Sequence, residues 1–188
     1  MCDNLVVLEE GKGGHAYIIN VGLESNVYVN SAPIDMYIKC RDIENACKVF
    51  AQTRDRDVVS WTMMVSGYAQ NGYSEDALNL FFQMQEEGID SNQYTFSSIL
   101  NAYANLVSLE QGKKIHGQIF KHGLNSNTFG GSDLDIDMYA KCGSIEDAQW
   151  VFEKRHEQPI FSWNAMITSY AQHGHGIEVL QLLRECKQ

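Results

Sequence analysis

At 188 residues with 44% apolar side chains, the chain is long enough to bury a sizeable core as one or two domains. Its two prolines, Pro33 and Pro159, exclude a proline-rich linker, and no apolar run approaches the roughly eighteen residues of a membrane span. Five cysteines without a C-x-x-C fit reduced thiols better than a disulfide framework, and a net charge of −10 runs against the basic surface that nucleic-acid partners draw on.

The opening residues, MCDNLVVLEEGKGG, carry neither a basic region nor an Arg-rich amphipathic stretch, so no targeting segment is expected there. Residues 4–26, NLVVLEEGKGGHAYIINVGLESN, return at 105–127 as NLVSLEQGKKIHGQIFKHGLNSN. Residues 35–50, DMYIKCRDIENACKVF, return at 137–152 as DMYAKCGSIEDAQWVF with ten of sixteen positions identical. Residues 60–72, SWTMMVSGYAQNG, return at 162–174 as SWNAMITSYAQHG. The offset is 101 for the first block and 102 for the other two. Three ordered matches at nearly one offset establish a long internal repeat.

Each long repeat holds three smaller ones of two helical patterns apiece. In residues 58–92, Trp61, Met64, Val65 and Tyr68 fall on one helical face. Asn71-Gly72 is expected to break that helix, because both residue types accept positive φ. Ser74 is then expected as an N-cap, with Glu75 and Asp76 in the first turn where the helix dipole favours acids. Ala77, Leu80, Phe81 and Met84 form the second apolar face, and Gly88 stops the helix. The same plan restarts at Val27, Gln93 and Thr128. A lone hairpin of this size cannot bury its faces, so neighbours must stack on it, and the fold expected is an all-α solenoid of helix-turn-helix units.

The text of the units resembles one family. Residues 58–92, VVSWTMMVSGYAQNGYSEDALNLFFQMQEEGIDSN, closely resemble the P repeat of plant pentatricopeptide repeat proteins. Residues 93–127 are similar to their L repeat, and residues 27–57 to their short S repeat. The chain is thus identified as a stretch of the PLS subfamily, a single right-handed superhelical solenoid over 1–188. Its order is partial L (1–26), S (27–57), P (58–92), L (93–127), irregular S (128–159) and partial P (160–188).

The resemblance implies sequence-specific binding of single-stranded RNA, one base per repeat. The fifth and last residues of a repeat would read the base: Ser31 with Asp57, Thr62 with Asn92, Ser97 with Asn127, and Asn164 in the last, partial repeat. In the family a small hydroxyl residue with Asp favours G and with Asn favours A, which gives a G-A-(A) core. The residue types suit this, since a hydroxyl donates or accepts, an amide does both, and a carboxylate only accepts. Read without the family, the same Ser, Thr, Asn and Asp residues are ordinary helix caps. The second residue of each repeat would flank the base: Tyr28, Val59, Tyr94, Phe129 and Phe161. Stacking on an aromatic is worth ~1–3 kcal/mol. Phosphates would be met at the end of the first helix, by Lys39, Gln70, Asn105, Lys141 and Gln172. With two cations among these five, phosphate binding should be weak and its salt slope shallow. The acids Glu75, Asp76, Glu86, Glu87, Glu110, Glu146 and Asp147 are expected on the outer helices, which would leave the inner face near neutral.

The irregular unit departs from the pattern. GSDLDIDMYAKCG (131–143) holds one residue more than its counterpart, near Asp135, so its fifth position is Ser132 or Asp133, and its last is Pro159, which reads nothing. Asp133, Asp135 and Asp137 are expected as a solvated acidic edge, not a metal site. Both ends fall inside a repeat without a polar cap, which favours fraying or pairing with another copy. The family's deaminase-like domains need H-x-E and C-x-x-C, and neither occurs here. Cys40 and Cys142 share one repeat position and His15 and His116 another, which marks them as packing residues. No catalyst, metal or cofactor is expected. The partners implied are an RNA transcript of the chloroplast or mitochondrion and proteins of an editing complex, with no membrane. A second reading stays open, a solenoid scaffold that binds protein, and the acidic balance favours it.

Overall fold

The structure, a computed structural model, describes residues 2–24, 26–123, 132–154 and 158–186, with side chains described from residue 8 in the first stretch and residue 134 in the third. Among the described residues the regular elements are helices: α1 (Cys2–Asn20), α2 (Val27–Lys39), α3 (Ile43–Gln52), α4 (Val58–Gln70), α5 (Ser74–Glu86), α6 (Gln93–Asn105), α7 (Leu109–Lys121), α8 (Ser132–Lys141), α9 (Ile145–Glu153), α10 (Ile160–Gln172) and α11 (Gly176–Glu185). The fold is an all-α solenoid of tandem helix-turn-helix repeats. It forms two compact units, residues 1–98 and 99–188.

In the first unit α2 packs on α3, α4 on α5, and α2 lies against both α1 and α4. The apolar positions explain the pairing. Ile43, Ala46, Val49 and Phe50 of α3 and Trp61 and Met64 of α4 share one buried cluster with Ile34, Tyr37 and Ile38 of α2. Phe50 meets Trp61 edge-on at 5.0 Å, and the Arg56 guanidinium lies 4.7 Å over the Phe50 ring.

The turns refine the expectations. Gly72 alone takes positive φ (88°), while Asn71 stays at −87° and uses its amide to reach the Gly67 carbonyl. The left-handed step leaves Tyr73 as the non-helical residue before α5. Tyr73 is therefore the N-cap, without a side-chain bond, and Ser74 is the buried first residue of the helix rather than its cap. Gly88, φ 74°, ends α5 as expected, with the Ile89 amide donating to the Met84 carbonyl at 3.1 Å. Two residues that are not glycine also sit in the left-handed region, Arg41 at φ 61° and Val107 at φ 53°. The α1 helix runs unbroken through residues 4–7, whereas the matching residues 105–108 turn from α6 into α7.

In the second unit α8 packs on α9 and on α10, α10 on α11, and α7 on α8. Contacts of the first unit are rebuilt here: Phe152 meets Trp163 edge-on at 5.0 Å, as Phe50 meets Trp61. His116 Nδ1 lies 2.8 Å from the Tyr139 hydroxyl, as His15 Nδ1 lies 3.2 Å from that of Tyr37. One side chain departs from expectation. Asp135 is not on a solvated edge but buried, with its carboxylate 3.5 Å from His116 Nε2. It stands 102 residues after Pro33, a buried position in both copies, so the acid faces the interior and takes the histidine as counter-group. Burial, with Asp147 and Asp135 nearby, pushes the Tyr139 hydroxyl up to about 12. Asp137 pairs instead with Lys141, at 2.8 Å.

Candidate functional site

The last residue of a repeat starts the next helix. Asn26 caps α2 through the Tyr28 amide (3.0 Å), Asp57 caps α4 through the Ser60 amide (2.9 Å), and Asn92 caps α6 through the Thr95 amide (3.0 Å). Pro159 precedes α10 without a side-chain bond. One turn into each capped helix stands the fifth residue of its repeat. The cap and the fifth residue of one repeat therefore lie on neighbouring helices of the same layer.

Thr62 and Asn92 meet directly, with Asn92 Nδ2 donating to Thr62 Oγ1 at 3.2 Å. Thr95, fully buried, closes a triangle: its hydroxyl lies 2.8 Å from Thr62 Oγ1 and donates to Asn92 Oδ1 at 3.2 Å. Ser66 and Ser98 add a second hydroxyl rung between α4 and α6, at 2.7 Å. Ser31 and Asp57 are not hydrogen-bonded to each other. The Ser31 hydroxyl donates to the Tyr28 carbonyl (2.9 Å), while one Asp57 oxygen takes the Ser60 amide. Ser97 is half-buried and Asn164 exposed. Asn127 and Phe129 lie outside the described residues, as do the side chains of Ser132 and Asp133.

The second residues do not pack into the core. Tyr28 is 82% exposed, Val59 53%, Tyr94 61% and Phe161 66%, although the last three each precede a fully buried residue, Ser60, Thr95 and Ser162. Val59 and Tyr94 instead line a cavity of about 420 Å³ in the first unit, whose walls also include Thr62, Asn92, Gln70 and Ser66. Five of the expected contact residues thus share one cavity: one flanking side chain from each of two successive repeats, a reading pair, and a residue at the end of α4. Such a cavity, apolar on two sides with a few converging polar groups, is a ligand slot by its shape and chemistry.

Cations in this layer are neutralised locally. Lys39 is held by Asp35 at 2.6 Å and Lys141 by Asp137 at 2.8 Å, each one helical turn apart. Asp35 lines the cavity, so the cavity wall carries a carboxylate. The acids expected outside follow suit: Glu75, Asp76, Glu86, Glu110 and Glu146 are exposed on the second helices, Glu87 is exposed just past the end of α5, and Asp147 pairs with Lys113 at 2.7 Å. That lysine, with Ser144, holds the Asp147 carboxyl below the usual range. Gln70, Asn105 and Gln172 are exposed at the ends of α4, α6 and α10. Sequence reasoning missed Thr95, Asp35 and Ser66. The three-residue step from Asn92 to Thr95 is a capping interval that could have pointed to the first of them.

Comparison with known proteins agrees with this architecture. The PPR repeat family matches residues 56–105, and the PPR repeat matches residues 136–154 and 161–188, together just over half of the chain. The chain belongs to the pentatricopeptide repeat family. A putative pentatricopeptide repeat-containing protein of Arabidopsis thaliana is 40% identical over 187 residues, which is 100% of this chain and 25% of that protein. A chloroplastic one from the same plant is 42% identical over 182 residues (97% and 29%), and a mitochondrial one 40% over 177 residues (94% and 17%). This pentatricopeptide chain spans less than a third of the length of these relatives. Among solved structures, the pentatricopeptide repeat protein PPR10 in complex with an 18-nt psaJ RNA element superposes with a TM-score of 0.77 at 16% identity, covering 98% of this chain and 27% of that one. At that identity the likeness is one of fold. Among the described residues no group of three His, Cys, Asp or Glu side chains is placed to hold a metal ion, and no helix is long and apolar enough to cross a membrane.

Proposed function

We propose that the chain binds single-stranded RNA in a sequence-specific manner, one base per repeat. The observation that carries this reading is the cavity in which Val59 and Tyr94 flank Thr62 and Asn92. A flat, unstacked base fits between two exposed apolar side chains, with its edge toward the polar pair. The two described pairs offer different edges. Asp57 and Ser31 present acceptors only, because the Ser31 proton is committed to the Tyr28 carbonyl. Guanine, with adjacent N1–H and N2–H donors, complements two acceptors. Asn92 presents its second amide N–H as a donor beside a Thr62 lone pair, which suits a base with an amino group next to a ring acceptor. Adenine and cytosine share that pattern, and the family preference selects adenine.

PPR10, the RNA-bound structural relative, supports the substrate class. The PLS order, action in a chloroplast or mitochondrion, and recruitment of an editing or processing activity by a longer protein extend the reading; the chloroplastic and mitochondrial relatives support the compartment. The test is titration of short single-stranded RNAs containing GAA against permuted controls at low salt. Preference for GAA is expected, and Thr62→Asn should move the second base from A toward a pyrimidine. Equal affinity for the permuted sequences overturns the reading. A protein-binding scaffold is the second reading, favoured by the net charge of −10 and by the Asp35 carboxylate in the cavity wall. Absence of RNA affinity at low salt decides for it.

A further inference from the structure

The geometry points to Thr95 as a specificity-determining positioning residue for the slot built by Thr62 and Asn92, a role that rests on the RNA reading above. Thr95 belongs to the following repeat, is fully buried, and does not line the cavity. Its influence has to pass through the two residues that do.

One set of proton directions makes all three contacts of the triangle hydrogen bonds at once. The Thr95 backbone N–H can only donate, so the Asn92 atom 3.0 Å from it is the carbonyl oxygen, and the amide nitrogen faces Thr62. The Thr95 hydroxyl donates its single proton to that same oxygen. With that proton on Asn92, the Thr95 oxygen accepts from Thr62, 2.8 Å away, and in this arrangement the Thr62 proton is committed to Thr95. A closed ring results: Asn92 N–H to Thr62, Thr62 O–H to Thr95, Thr95 O–H to Asn92. Bonds arranged head to tail in this way reinforce one another.

The ring decides what faces the cavity. The Asn92 oxygen already has two donors, so the amide offers one remaining N–H. Thr62 offers a lone pair and no proton. An adenine places its amino group against that lone pair and its N1 against the Asn92 N–H. A guanine in the same pose sets O6 against a lone pair and N1–H against an N–H, two like pairs at once. Remove the Thr95 hydroxyl and the cap survives through the backbone amide, but the Thr62 proton is released. Thr62 can then turn its O–H toward the cavity and donate to an oxo group. Discrimination between amino and oxo bases is what should relax, with little loss of affinity for adenine.

The experiment uses the 188-residue chain and four single-stranded RNAs that differ only in the base opposite residues 58–92. Thr95→Val keeps the side-chain shape without the hydroxyl, Thr95→Ala repeats the deletion with a smaller group should valine disturb folding, and Thr95→Ser restores the hydroxyl. Asn92→Asp serves as the control that must shift the base preference if this slot reads RNA. The adenine-to-guanine preference of the parent is expected to fall roughly tenfold in Thr95→Val or Thr95→Ala and to return in Thr95→Ser. An unchanged ratio in the deletion variants, with the control shifted, overturns the role of Thr95 and leaves the RNA reading standing. A parent chain that binds the four RNAs alike, or none of them, overturns the RNA reading and the role of Thr95 with it.

Discussion

Asp57→Asn tests the base-reading role proposed for a capping residue. Asparagine caps a helix about as well as aspartate, so α4 should keep its start, and the Ser60 amide will hold the new side-chain oxygen where it now holds a carboxylate oxygen at 2.9 Å. Loss of the negative charge at the helix N-terminus costs about 0.3–1 kcal/mol of stability, too little to unfold the chain. The change at the open side is larger in kind. With the oxygen fixed by Ser60, the group left facing a base becomes an N–H donor where an acceptor stood. Guanine N1–H then meets a donor, and an unmatched polar group costs about 1–3 kcal/mol, or about 5- to 150-fold in affinity. Fluorescence anisotropy with two RNAs that differ only in G or A opposite residues 27–57 reads this directly, and a thermal melt checks that the variant is folded. The expected result is an inverted preference, from G to A. If a folded variant weakens on both RNAs equally, Asp57 acts through its field and not through its edge, and the pairing argument is wrong.

The remaining predictions concern strain, charge and protons. Val107 is a β-branched residue at φ 53° with 62% of its surface exposed, so Val107→Gly removes about 1–2 kcal/mol of strain against about 0.5–1 for glycine's added freedom. The melting midpoint should rise by about 1–4 °C, and Arg41→Gly should act likewise, since Gly72, Gly143 and Gly174 already fill the same turn. A lowered midpoint would show that the side chain has a contact worth more than the strain. Asp35→Asn frees Lys39 and removes a carboxylate from the cavity, so RNA binding should tighten about 1.5- to 5-fold, with a salt slope steeper by up to about 0.7. Unchanged affinity and slope would mean that Lys39 meets no phosphate. Burial lowers the His15 pKa from its ordinary 6.5, so the unfolded chain takes up that proton first as pH falls. This contribution to stability is complete above 6.5 and is lost as pH drops toward the lower folded value. In thermal melts across that window His15→Gln should flatten the dependence, and a parallel curve would refute the assignment.

How far the sequence could be read follows from where each signal resides. The helix pairs were legible because Trp61, Met64 and Val65, or Ala77, Phe81 and Met84, carry a period that backbone geometry dictates and burial then enforces. The irregular unit misled because its aspartates look alike in one dimension. Asp137 turns to Lys141 on its own helix, whereas Asp135 reaches His116 on another, and only packing tells them apart. Tyr73 displaced Ser74 as the cap because a left-handed glycine sets where a helix starts more firmly than side-chain preference does.

The pairs proposed to read bases show a subtler limit. From sequence, capping and base recognition are rival accounts of Asp57 and Asn92, and one must be chosen. In three dimensions they do not compete, because a cap consumes only part of what the side chain can bond. The Ser60 amide takes one oxygen of Asp57, and the Thr95 amide and hydroxyl take the oxygen of Asn92. What remains is an acceptor in the first case and a donor in the second, each held rigid by the helix it starts. On the proposed reading, a cap is what would let such a residue discriminate: a free asparagine could flip its amide to suit either edge, and a capping one cannot. A helix that begins without a side-chain cap, such as α10 after Pro159, lacks both the bond and the polarity it would have fixed.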